Sequence, residues 1–306
     1  MVDLDVEKFF DKVWHQRLLS RLAQRVSDSR ILKLISLMLK AKVVMPDGVV
    51  VSTDEGVPQG GPLSPLLSNV VLDELDQELA QRGHHFVRYA DDVNIYVRTE
   101  RAGRRVMASV SRFIEKRLHL KVNQDKSAVA RPEERHFLGF SLRVDVLTEE
   151  VEVQLSKRSI ERICQRIVEL TPRNWGNSLK RCIERINVYL KGWFGFFRIC
   201  TAGAEWDFQR FDAHIRRRLR AIKLKQWKRK RTIARKLIQL GVRFKTAWRR
   251  VYAGRKSMWA LSHDSAVHRG LRNAYFAERG LVTLVELFRA KLSAIDAPKQ
   301  LELKWG

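Results

Sequence analysis

Cysteine is scarce in this sequence, and the few cysteines present lie far apart. Cys164, Cys182 and Cys200 are the three cysteines among 306 residues, and none of them has the close spacing of a zinc site or of a small disulfide framework. We therefore expect reduced thiols, in the core or at the surface, without a chemical role of their own.

Long apolar runs are also missing. No stretch reaches the roughly 18–20 apolar residues that a membrane-spanning helix needs, and the N-terminus has no signal-peptide pattern. A formal net charge of +25 would also suit a protein that binds a membrane surface. Without any anchor, the sequence favours a cytoplasmic protein associated with nucleic acid, and no membrane partner is expected.

Acidic residues are rare in the second half only. Residues 1–150 hold 23 basic and 22 acidic side chains, whereas residues 151–306 hold 36 basic and 12 acidic ones. A charge run is usually a solvated helix face, but such faces mix both signs, and residues 216–236 contain no acid at all. This pattern predicts salt-dependent contacts with a phosphate backbone. The candidate RNA-binding residues are Arg216, Arg217, Arg218, Arg220, Lys223, Lys225, Lys228, Arg229, Lys230 and Arg231.

Two neighbouring aspartates are the most informative feature that is present. Asp91 and Asp92 follow Tyr89 and Ala90, and the β-branched and aromatic runs on both sides predict a hairpin with the pair at its connection. Adjacent carboxylates repel each other, so in a partly dry setting they stay ionised only beside cations. A divalent metal site is one interpretation, and an ordinary solvated turn is the other.

A second acidic segment lies at the N-terminus. Apolar and acidic residues alternate over residues 2–6, so Asp3 and Asp5 share one face of a short strand. If this strand lies beside the hairpin, it supplies a further carboxylate. Two ions about 3.5–4 Å apart, held by such carboxylates, stabilise both the attacking and the leaving oxygen of a phosphoryl transfer.

Glycine and proline concentrate between these two acidic segments. Residues 56–65 contain three of each, which excludes regular helix or strand. A backbone with few side chains lets a bulky ligand approach, and Gln59 offers both a donor and an acceptor. The alternative is a plain loop before a helix, with Ser64 as the N-cap and Pro65 in the first turn.

Hydrophobic periodicity predicts a change of architecture near residue 152. Before it, helices are expected over residues 28–40, 65–82 and 100–118, with a hairpin of residues 43–44 and 49–51. After it, helical patterns dominate, first over residues 156–170 and 178–197. The next helix carries an apolar stripe of Phe208, Phe211, Ile215, Leu219 and Ile222. A small antiparallel sheet with helices, followed by an α-helical domain, is the predicted α+β fold class.

Five motifs in order resemble those of reverse transcriptases, and among them the group II intron reverse transcriptase/maturases. Residues 5–10 (DVEKFF) are similar to the first catalytic motif, residues 56–69 (GVPQGGPLSPLLSN) to the template and nucleotide motif, and residues 89–92 (YADD) to the YxDD box. Residues 123–126 (NQDK) resemble the motif with an active-site lysine, and residues 137–140 (FLGF) resemble the primer grip. One YxDD match is weak, but five motifs in family order are specific.

The resemblance implies a polymerase palm with RNA-directed DNA polymerase activity by two-metal-ion nucleotidyl transfer. Asp5, Asp91 and Asp92 would hold two Mg²⁺ ions, with the carbonyl of Val6 as a further ligand. Asp3 matches no catalytic position, so we expect it to be a solvated strand residue.

The same resemblance gives roles to residues around the carboxylates. Lys126 would neutralise or protonate the leaving group, and Phe10 would exclude a ribose 2′-hydroxyl. Gln59 and Gly60 would contact the incoming deoxynucleoside triphosphate, and the primer would be gripped by Phe137, Leu138 and Gly139. The implied partners are an RNA template or intron RNA, a DNA or RNA primer, and deoxynucleoside triphosphates.

A looser resemblance covers the second half. Residues 175–240, and residues 187–197 (NVYLKGWFGFF) above all, are similar to the maturase-specific domain or thumb, which in the family binds intron RNA and supports splicing. The expected domains are a palm over residues 1–150, a helical thumb/maturase domain over 151–245, and a helical C-terminal extension over 246–306.

One departure from the family bears on activity. Family members carry a fingers region before the first catalytic motif, but here Met1 stands only four residues ahead of Asp5. We therefore expect an N-terminally truncated chain, either a fragment or the remnant of a decayed mobile element, that polymerises weakly or not at all by itself. A non-catalytic RNA-binding splicing factor is the alternative function.

Overall fold

The chain folds into two compact units, each with its own hydrophobic core. The computed structural model describes residues 1–41, 43–44, 50–51, 55–57, 61, 63–145, 148–173, 176–254 and 257–296. The units are Met1–Arg135 and His136–Gly306. The division therefore lies before residue 150, where the end of the palm was expected. The physical reason is that Phe140 and Leu155, from the hairpin that follows, are buried in the second core.

The first unit is built around four antiparallel strands in the order β4-β5-β1-β6. Two short further strands, β2 and β3, pair with each other as predicted, while the turn between them lies outside the described residues. In chain order the strands are β1 (Val2–Asp5), β2 (Val43–Val44), β3 (Val50–Val51), β4 (His85–Tyr89), β5 (Asp92–Tyr96) and β6 (Ala128–Val129).

Two helices of the first unit begin at side-chain caps that the local sequence provides. The Asp28 carboxylate accepts a hydrogen bond from the Arg30 N–H at 2.8 Å, and the Thr99 hydroxyl accepts one from the Ala102 N–H at 3.2 Å. Ser64 is the first residue of its helix and not the expected N-cap, which is Leu63. The helices are α1 (Phe9–Lys12), α2 (His15–Ala23), α3 (Ser29–Leu39), α4 (Ser64–Gln81) and α5 (Glu100–Phe113), which continues into a π-helical turn at Ile114–Leu118.

The central sheet has one apolar face and one polar face because side chains alternate along each strand. Val2, Leu4, Val93 and Ile95 are fully buried on the face that the first core covers. The opposite face carries acidic residues of β1 and β5, so the sheet presents carboxylates on the side away from that core.

The second unit starts with a hairpin and continues as helices. Its strands are β7 (Phe140–Val144) and β8 (Val151–Leu155). Its helices are α6 (Lys157–Leu170), α7 (Leu179–Phe197), α8 (Glu205–Trp227), α9 (Lys230–Gln239), α10 (Phe244–Tyr252), α11 (Met258–Leu261), α12 (Ser265–Gly270), α13 (Asn273–Ala277) and α14 (Leu284–Asp296). The predicted α+β architecture followed by a helical domain is confirmed.

A single core joins the helices on both sides of residue 246. The predicted stripe of α8, from Phe208 to Ile222, is buried, and it shares this core with Val251, Phe276 and Phe288 from the later helices. The residues assigned to a C-terminal extension thus complete the core of the second unit. They do so because α14 packs along α8, where Asp212 accepts hydrogen bonds from the N–H groups of Leu284 and Val285.

The cysteines are free thiols. Cys182 and Cys200 are buried, and burial raises their pKa values to about 11 and about 12, which disfavours the reactive thiolate. Among the helices described, none is long and apolar enough to cross a membrane.

Candidate active site

The first strand places its carboxylate directly beside the aspartate hairpin. Asp5 of β1 lies opposite Asp92 of β5, and Asp92 lies opposite Tyr89 of β4. Because paired residues share a face, Tyr89, Asp92 and Asp5 form one row across three strands. The row lies on the polar face, where Tyr89 is 62% exposed. The two carboxylates that sequence analysis placed far apart in the chain are therefore neighbours.

Backbone hydrogen bonds show which type of antiparallel pair Asp5 and Asp92 form. The Asp5 N–H donates to the Ser127 hydroxyl at 3.0 Å, and the Asp5 carbonyl accepts from the Asn123 N–H at 2.9 Å. Both groups thus point away from Asp92. Asp5 and Asp92 form a non-hydrogen-bonded pair, the arrangement in which Cα atoms approach to about 4.5 Å and side chains lie closest.

The backbone of Val6 points to the same side as the hairpin. Val6 lies opposite Val122, and the hydrogen bonds that flank this bridge come from its neighbours, with the Glu7 N–H donating to the Lys121 carbonyl at 2.8 Å. The amide and carbonyl of Val6 therefore face away from residue 122. A carbonyl oxygen directed this way is available to a cation bound at Asp5.

A two-residue turn of Ala90 and Asp91 connects β4 to β5. Ala90 has φ +54°, a left-handed conformation that strains any residue with a Cβ. Backbone strain of this kind persists only where surrounding contacts hold it. Here the contacts come from Arg88, whose guanidinium donates to the Ala90 carbonyl at 2.9 Å.

Arg88 is a site residue that sequence reasoning missed. Besides Ala90, its guanidinium binds the Asp76 carboxylate at 2.5 and 2.7 Å and the Asn69 side chain at 2.9 Å, both from α4. It thereby ties the turn that carries Asp91 to the long helix behind the sheet. The sequence signal that could have identified this role is a cation at an inward-facing position of β4, together with an aspartate in the preceding helix α4.

Lys126 lies close to the first carboxylate. Its Nζ is 3.7 Å from Oδ2 of Asp5. The loop that carries it is held by Asn123, whose side-chain oxygen accepts hydrogen bonds from the N–H groups of Asp125 and Lys126 at 3.1 and 3.3 Å. The predicted NQDK motif therefore reaches the carboxylates through an Asx turn.

Asp3 is not the solvated residue that was expected. Its side chain is only 13% exposed, and Oδ2 accepts hydrogen bonds from two nitrogens of the Arg135 guanidinium, at 2.7 Å from Nε and 2.6 Å from Nη2. Arg135 also donates to the Lys126 carbonyl at 2.7 Å. Asp3 therefore anchors the end of the first unit, because burial requires its charge to be paired.

Phe10 lies where the glycine-rich segment meets α1. The Val57 N–H donates to the Phe10 carbonyl at 2.5 Å, and the Gly56 carbonyl accepts from Nε2 of the buried His15 at 2.6 Å. A Cβ on Gly56 would lie 2.9 Å from two backbone oxygens, so only glycine fits this contact. The predicted nucleotide contacts Gln59 and Gly60 lie outside the described residues.

The donors around Asp5 and Asp92 suit a hard cation, because carboxylate and carbonyl oxygens are the ligands that Mg²⁺ prefers. The described residues nevertheless contain no group of three or more His, Cys, Asp or Glu side chains arranged to hold a metal ion. The geometry thus provides a carboxylate pair in register, with Asp91 on the adjoining turn.

The predicted primer-grip residues belong to the second unit. Phe137 and Phe140 exchange two backbone hydrogen bonds of 2.9 Å around Leu138 and Gly139, whose φ angles are +53° and +86°. Two central residues with positive φ define a type I′ turn. A Cβ on Gly139 would lie 2.7 Å from Oγ of Ser159, so this turn packs tightly on α6.

Two of the ten predicted RNA-binding residues are buried. Arg218 is 7% exposed and donates to the carbonyls of Thr171 and Val168, which end α6. Arg220 is 5% exposed and donates to the Leu271 carbonyl at 2.9 Å, and burial lowers its pKa to about 10. Both interpretations as RNA contacts are corrected: these cations satisfy buried carbonyls and do not reach an external phosphate.

The other eight predicted residues reach the surface to different extents. Four of them are half-buried, namely Arg216, Arg217, Lys223 and Lys230. The four exposed ones cluster around the junction of α8 and α9, namely Lys225, Lys228, Arg229 and Arg231.

Comparisons with known families cover both units. Residues 1–142 match the reverse transcriptase (RNA-dependent DNA polymerase) family, and residues 160–239 match the group II intron, maturase-specific domain. Protein YkfC of Escherichia coli (strain K12) is 30% identical over 177 residues, which are 46% of this chain and 46% of that protein. The group II intron-encoded protein LtrA of Lactococcus lactis subsp. cremoris is 36% identical over 87 residues, 28% of this chain and 14% of that protein.

The chain therefore spans less than half the length of either relative. Among solved structures, apo telomerase from Candida Tropicalis aligns with 98% of this chain and 51% of its own, at 14% identity and a TM-score of 0.44, which is too low to support an argument. The two family matches assign the two segments in this order along the sequence: residues 1–142 belong to the reverse transcriptase (RNA-dependent DNA polymerase) family, and residues 160–239 are a group II intron, maturase-specific domain.

Proposed function

We propose that this chain is an RNA-directed DNA polymerase of the group II intron type, with its nucleotidyl-transfer site at Asp5, Asp91 and Asp92. One observation carries the proposal: Asp5 is paired in register with Asp92 on the polar face of the sheet. In a fold without a catalytic role, two carboxylates directly opposite each other would not be expected, because like charges in these positions destabilise a strand pair.

The repulsion between these carboxylates is the reason to propose bound cations. Two Mg²⁺ ions would be held by Asp5, Asp91 and Asp92 with the Val6 carbonyl, and would supply charge stabilisation for the attacking and leaving oxygens of phosphoryl transfer. The protein's own contribution is to fix the positions of the oxygen donors. Arg88 does this for the turn that carries Asp91, and Ser127 does it for the Asp5 backbone.

Lys126 and Phe10 are the proposed partners of the substrate. Lys126 pairs with Asp5 at 3.7 Å but is mostly exposed, so its ammonium is free to turn toward a pyrophosphate leaving group. Phe10, held by the Val57 hydrogen bond at the edge of α1, would pack against the sugar and exclude a 2′-hydroxyl. Deoxynucleoside triphosphates, a primer and an RNA template are the corresponding substrates.

We further propose that the second unit binds intron RNA and supports splicing. The match of residues 160–239 to the maturase-specific domain supports this role, as does the charge of the half that contains it. This observation also favours the second candidate function, an RNA-binding splicing factor in which the palm is only a scaffold. The two functions differ in whether the carboxylates are needed.

The test is primer extension on an RNA template with Mg²⁺, comparing the chain with Asp91→Asn and Asp5→Asn. We expect each variant to lose at least about 100-fold in rate, since even residues that only support metal ligands change activity by 10–100-fold. Asp73→Asn is the matched control, because this half-exposed α4 aspartate contacts Arg21 and Gln77 and takes no part in the row of Asp5 and Asp92. Equal extension by the chain and by Asp91→Asn would show that the activity does not belong to this site.

RNA binding by the same proteins separates the two candidates. Both aspartate variants should bind the RNA as tightly as the unchanged chain, since the proposed RNA contacts lie in the other unit. A chain that binds RNA and supports splicing but shows no extension under any condition, with or without the carboxylates, would leave only the splicing-factor function.

A further inference from the structure

A cationic cleft lies in the second unit and contains none of the residues of the candidate active site. It has a volume of about 910 Å³ and runs between the end of α6, one face of α8 and the start of α11. Its charged lining consists of Arg173, Arg218, Lys225 and Lys228, and Trp259 forms part of its wall. The volume lies in the range of sites for small organic ligands, roughly 300–1,000 Å³.

The described residues that line this cleft include no Asp or Glu. Three guanidinium groups converge on the Trp259 ring, with Cζ of Arg217, Arg173 and Arg218 at 4.1, 5.3 and 5.9 Å from its centroid. The sequence contains no acidic residue between Asp212 and Asp264. Converging cations repel each other, so an anion from outside the protein would stabilise this arrangement.

Two details mark the cleft as a site and not only as a basic surface. Nε of Arg217 is buried and has no hydrogen-bond partner among the described residues, which is uncommon for a polar atom inside a protein. Burial, and then the nearby charge of Arg173, lower the pKa of Arg218. The first detail leaves a donor beside Trp259 without an acceptor, and the second shows that like charges lie close together there.

Lys228 gives an independent observation from the backbone. It has φ +58° and ψ −70°, and the Arg229 N–H donates to the Trp227 carbonyl at 2.7 Å, which closes a three-residue γ-turn around it. This turn with positive φ is rare and strained for any residue other than glycine. The chain thus holds a lysine at the junction of α8 and α9, in a conformation that glycine would adopt without strain. Strained residues concentrate at binding sites, where the side chain is needed in one position.

We infer that this cleft binds phosphate groups of single-stranded RNA, with Arg173, Lys225 and Lys228 contacting the phosphate oxygens beside Trp259. The inference rests on the proposed RNA-binding function and locates one of its contact sites. Arg218 keeps its structural hydrogen bonds to the end of α6 and contributes charge only. The backbone of RNA and free polyphosphate share the chemistry that these cations recognise, so the test separates the two sources.

The test measures binding of a fluorescein-labelled single-stranded RNA by anisotropy over a range of salt concentrations. The variants are Lys228→Gly and Arg173→Gln in the full chain, with Arg162→Gln as the control because it removes one exposed charge from α6 outside the cleft. We expect each cleft variant to raise the Kd roughly threefold to tenfold and to reduce the slope of log K against log salt by about 0.7 for each lost phosphate contact. The control should match the unchanged chain.

Lys228→Gly also distinguishes binding from folding. Because glycine relieves the strained turn, this variant should unfold at the same or a higher temperature than the unchanged chain while it binds RNA more weakly. Wild-type Kd and salt slope in both cleft variants would overturn the inference, and the proposed RNA binding of the second unit would still stand. A chain that binds no RNA at all would overturn both.

Competition with inorganic tripolyphosphate identifies the source of the phosphate. If tripolyphosphate displaces the labelled RNA from the unchanged chain more readily than from Arg173→Gln, the same cleft takes both, as inferred. If the cleft variants weaken direct tripolyphosphate binding but leave RNA binding unchanged, the cleft is a phosphate site and its assignment to RNA is wrong.

Discussion

Arg218 closes the end of α6 from inside the second core. Its Nη2 donates to the Thr171 carbonyl at 2.7 Å and to the Val168 carbonyl at 3.2 Å, and its Nε donates to the Thr171 hydroxyl. The carbonyls at the end of a helix lack partners within the helix, and burial makes a missing partner costly. At the scale of single residues, an arginine in a basic run can therefore be a structural cap.

We predict that Arg218→Ala destabilises the protein by about 2–4 kcal/mol, because it removes charge-assisted hydrogen bonds, among them the one to the buried Thr171 carbonyl. Thermal unfolding followed by circular dichroism measures the change. Arg229→Ala, an exposed neighbour in the same run, should shift stability by no more than about 0.5 kcal/mol. Equal effects of the two substitutions would mean that the hydrogen bonds of Arg218 contribute nothing to stability.

At the scale of secondary-structure elements, helix α5 approaches the sheet of the first unit closely. A Cβ on Gly103 of α5 would lie 2.5 Å from Cγ1 of Val129 and 3.4 Å from Cγ2 of Val97. The glycine is thus required where α5 crosses the apolar face of the sheet. For Gly192 of α7, in contrast, no atom of the described residues outside its own helix turn and chain neighbours lies within 4 Å of the corresponding position.

This contrast gives opposite predictions for the same substitution. Gly103→Ala should destabilise the first unit by about 1–3 kcal/mol, because the added methyl group forces α5 away from β6 and the sheet. Gly192→Ala should stabilise α7 by up to about 1 kcal/mol through helix propensity. Denaturant midpoints of the two variants measure both effects, and a destabilised Gly192→Ala variant would contradict the exposed position of that residue.

Two separate cores and an uneven charge distribution describe the whole molecule. Residues 1–135 carry 22 basic and 19 acidic side chains, whereas residues 136–306 carry 37 and 15. The division by core and the division by charge thus fall at almost the same place. The chemistry assigned to the carboxylates and the binding assigned to the cations belong to different folding units.

We predict that residues 136–306 fold as an independent fragment, because they contain the whole second core. Residues 151–306 should be less stable by about 3–5 kcal/mol, since this shorter fragment lacks β7 and the buried Phe140. Cooperativity of thermal unfolding, compared between the two fragments, is the measurement. Equal stability of the two fragments would show that the second unit begins near residue 150 and not at residue 136.

The sequence predicted what depends on local pattern and on motif order. Helices that begin at a polar cap, such as α3 and α7, were found within one residue, because capping and periodicity act within the segment itself. The pairing of Asp5 with Asp92 followed from the family resemblance, since no local rule relates residues so far apart.

Features that depend on three-dimensional packing could not be predicted in the same way. The partners of Asp3, Arg88 and Arg218 lie on other elements, and a basic run shows the same letters whether its arginines face water or buried carbonyls. The boundary between the units was predicted at residue 150 and lies at residue 135 for a related reason. The side chains of β7 and β8 are compatible with either core, and only packing decides between the two.

The salt bridge between Asp3 and Arg135 has a consequence for how such proteins can be recombined. It fastens the last residue of the first unit onto the strand that bears Asp5, so this unit is held together at its own carboxyl end. A different nucleic-acid-binding module grafted after Arg135 would inherit an undisturbed carboxylate strand, whereas a graft made a few residues earlier would cut its anchor. Chimeric proteins joined at this point should therefore take on the binding properties of the new module while they keep the geometry of the Asp5–Asp92 pair.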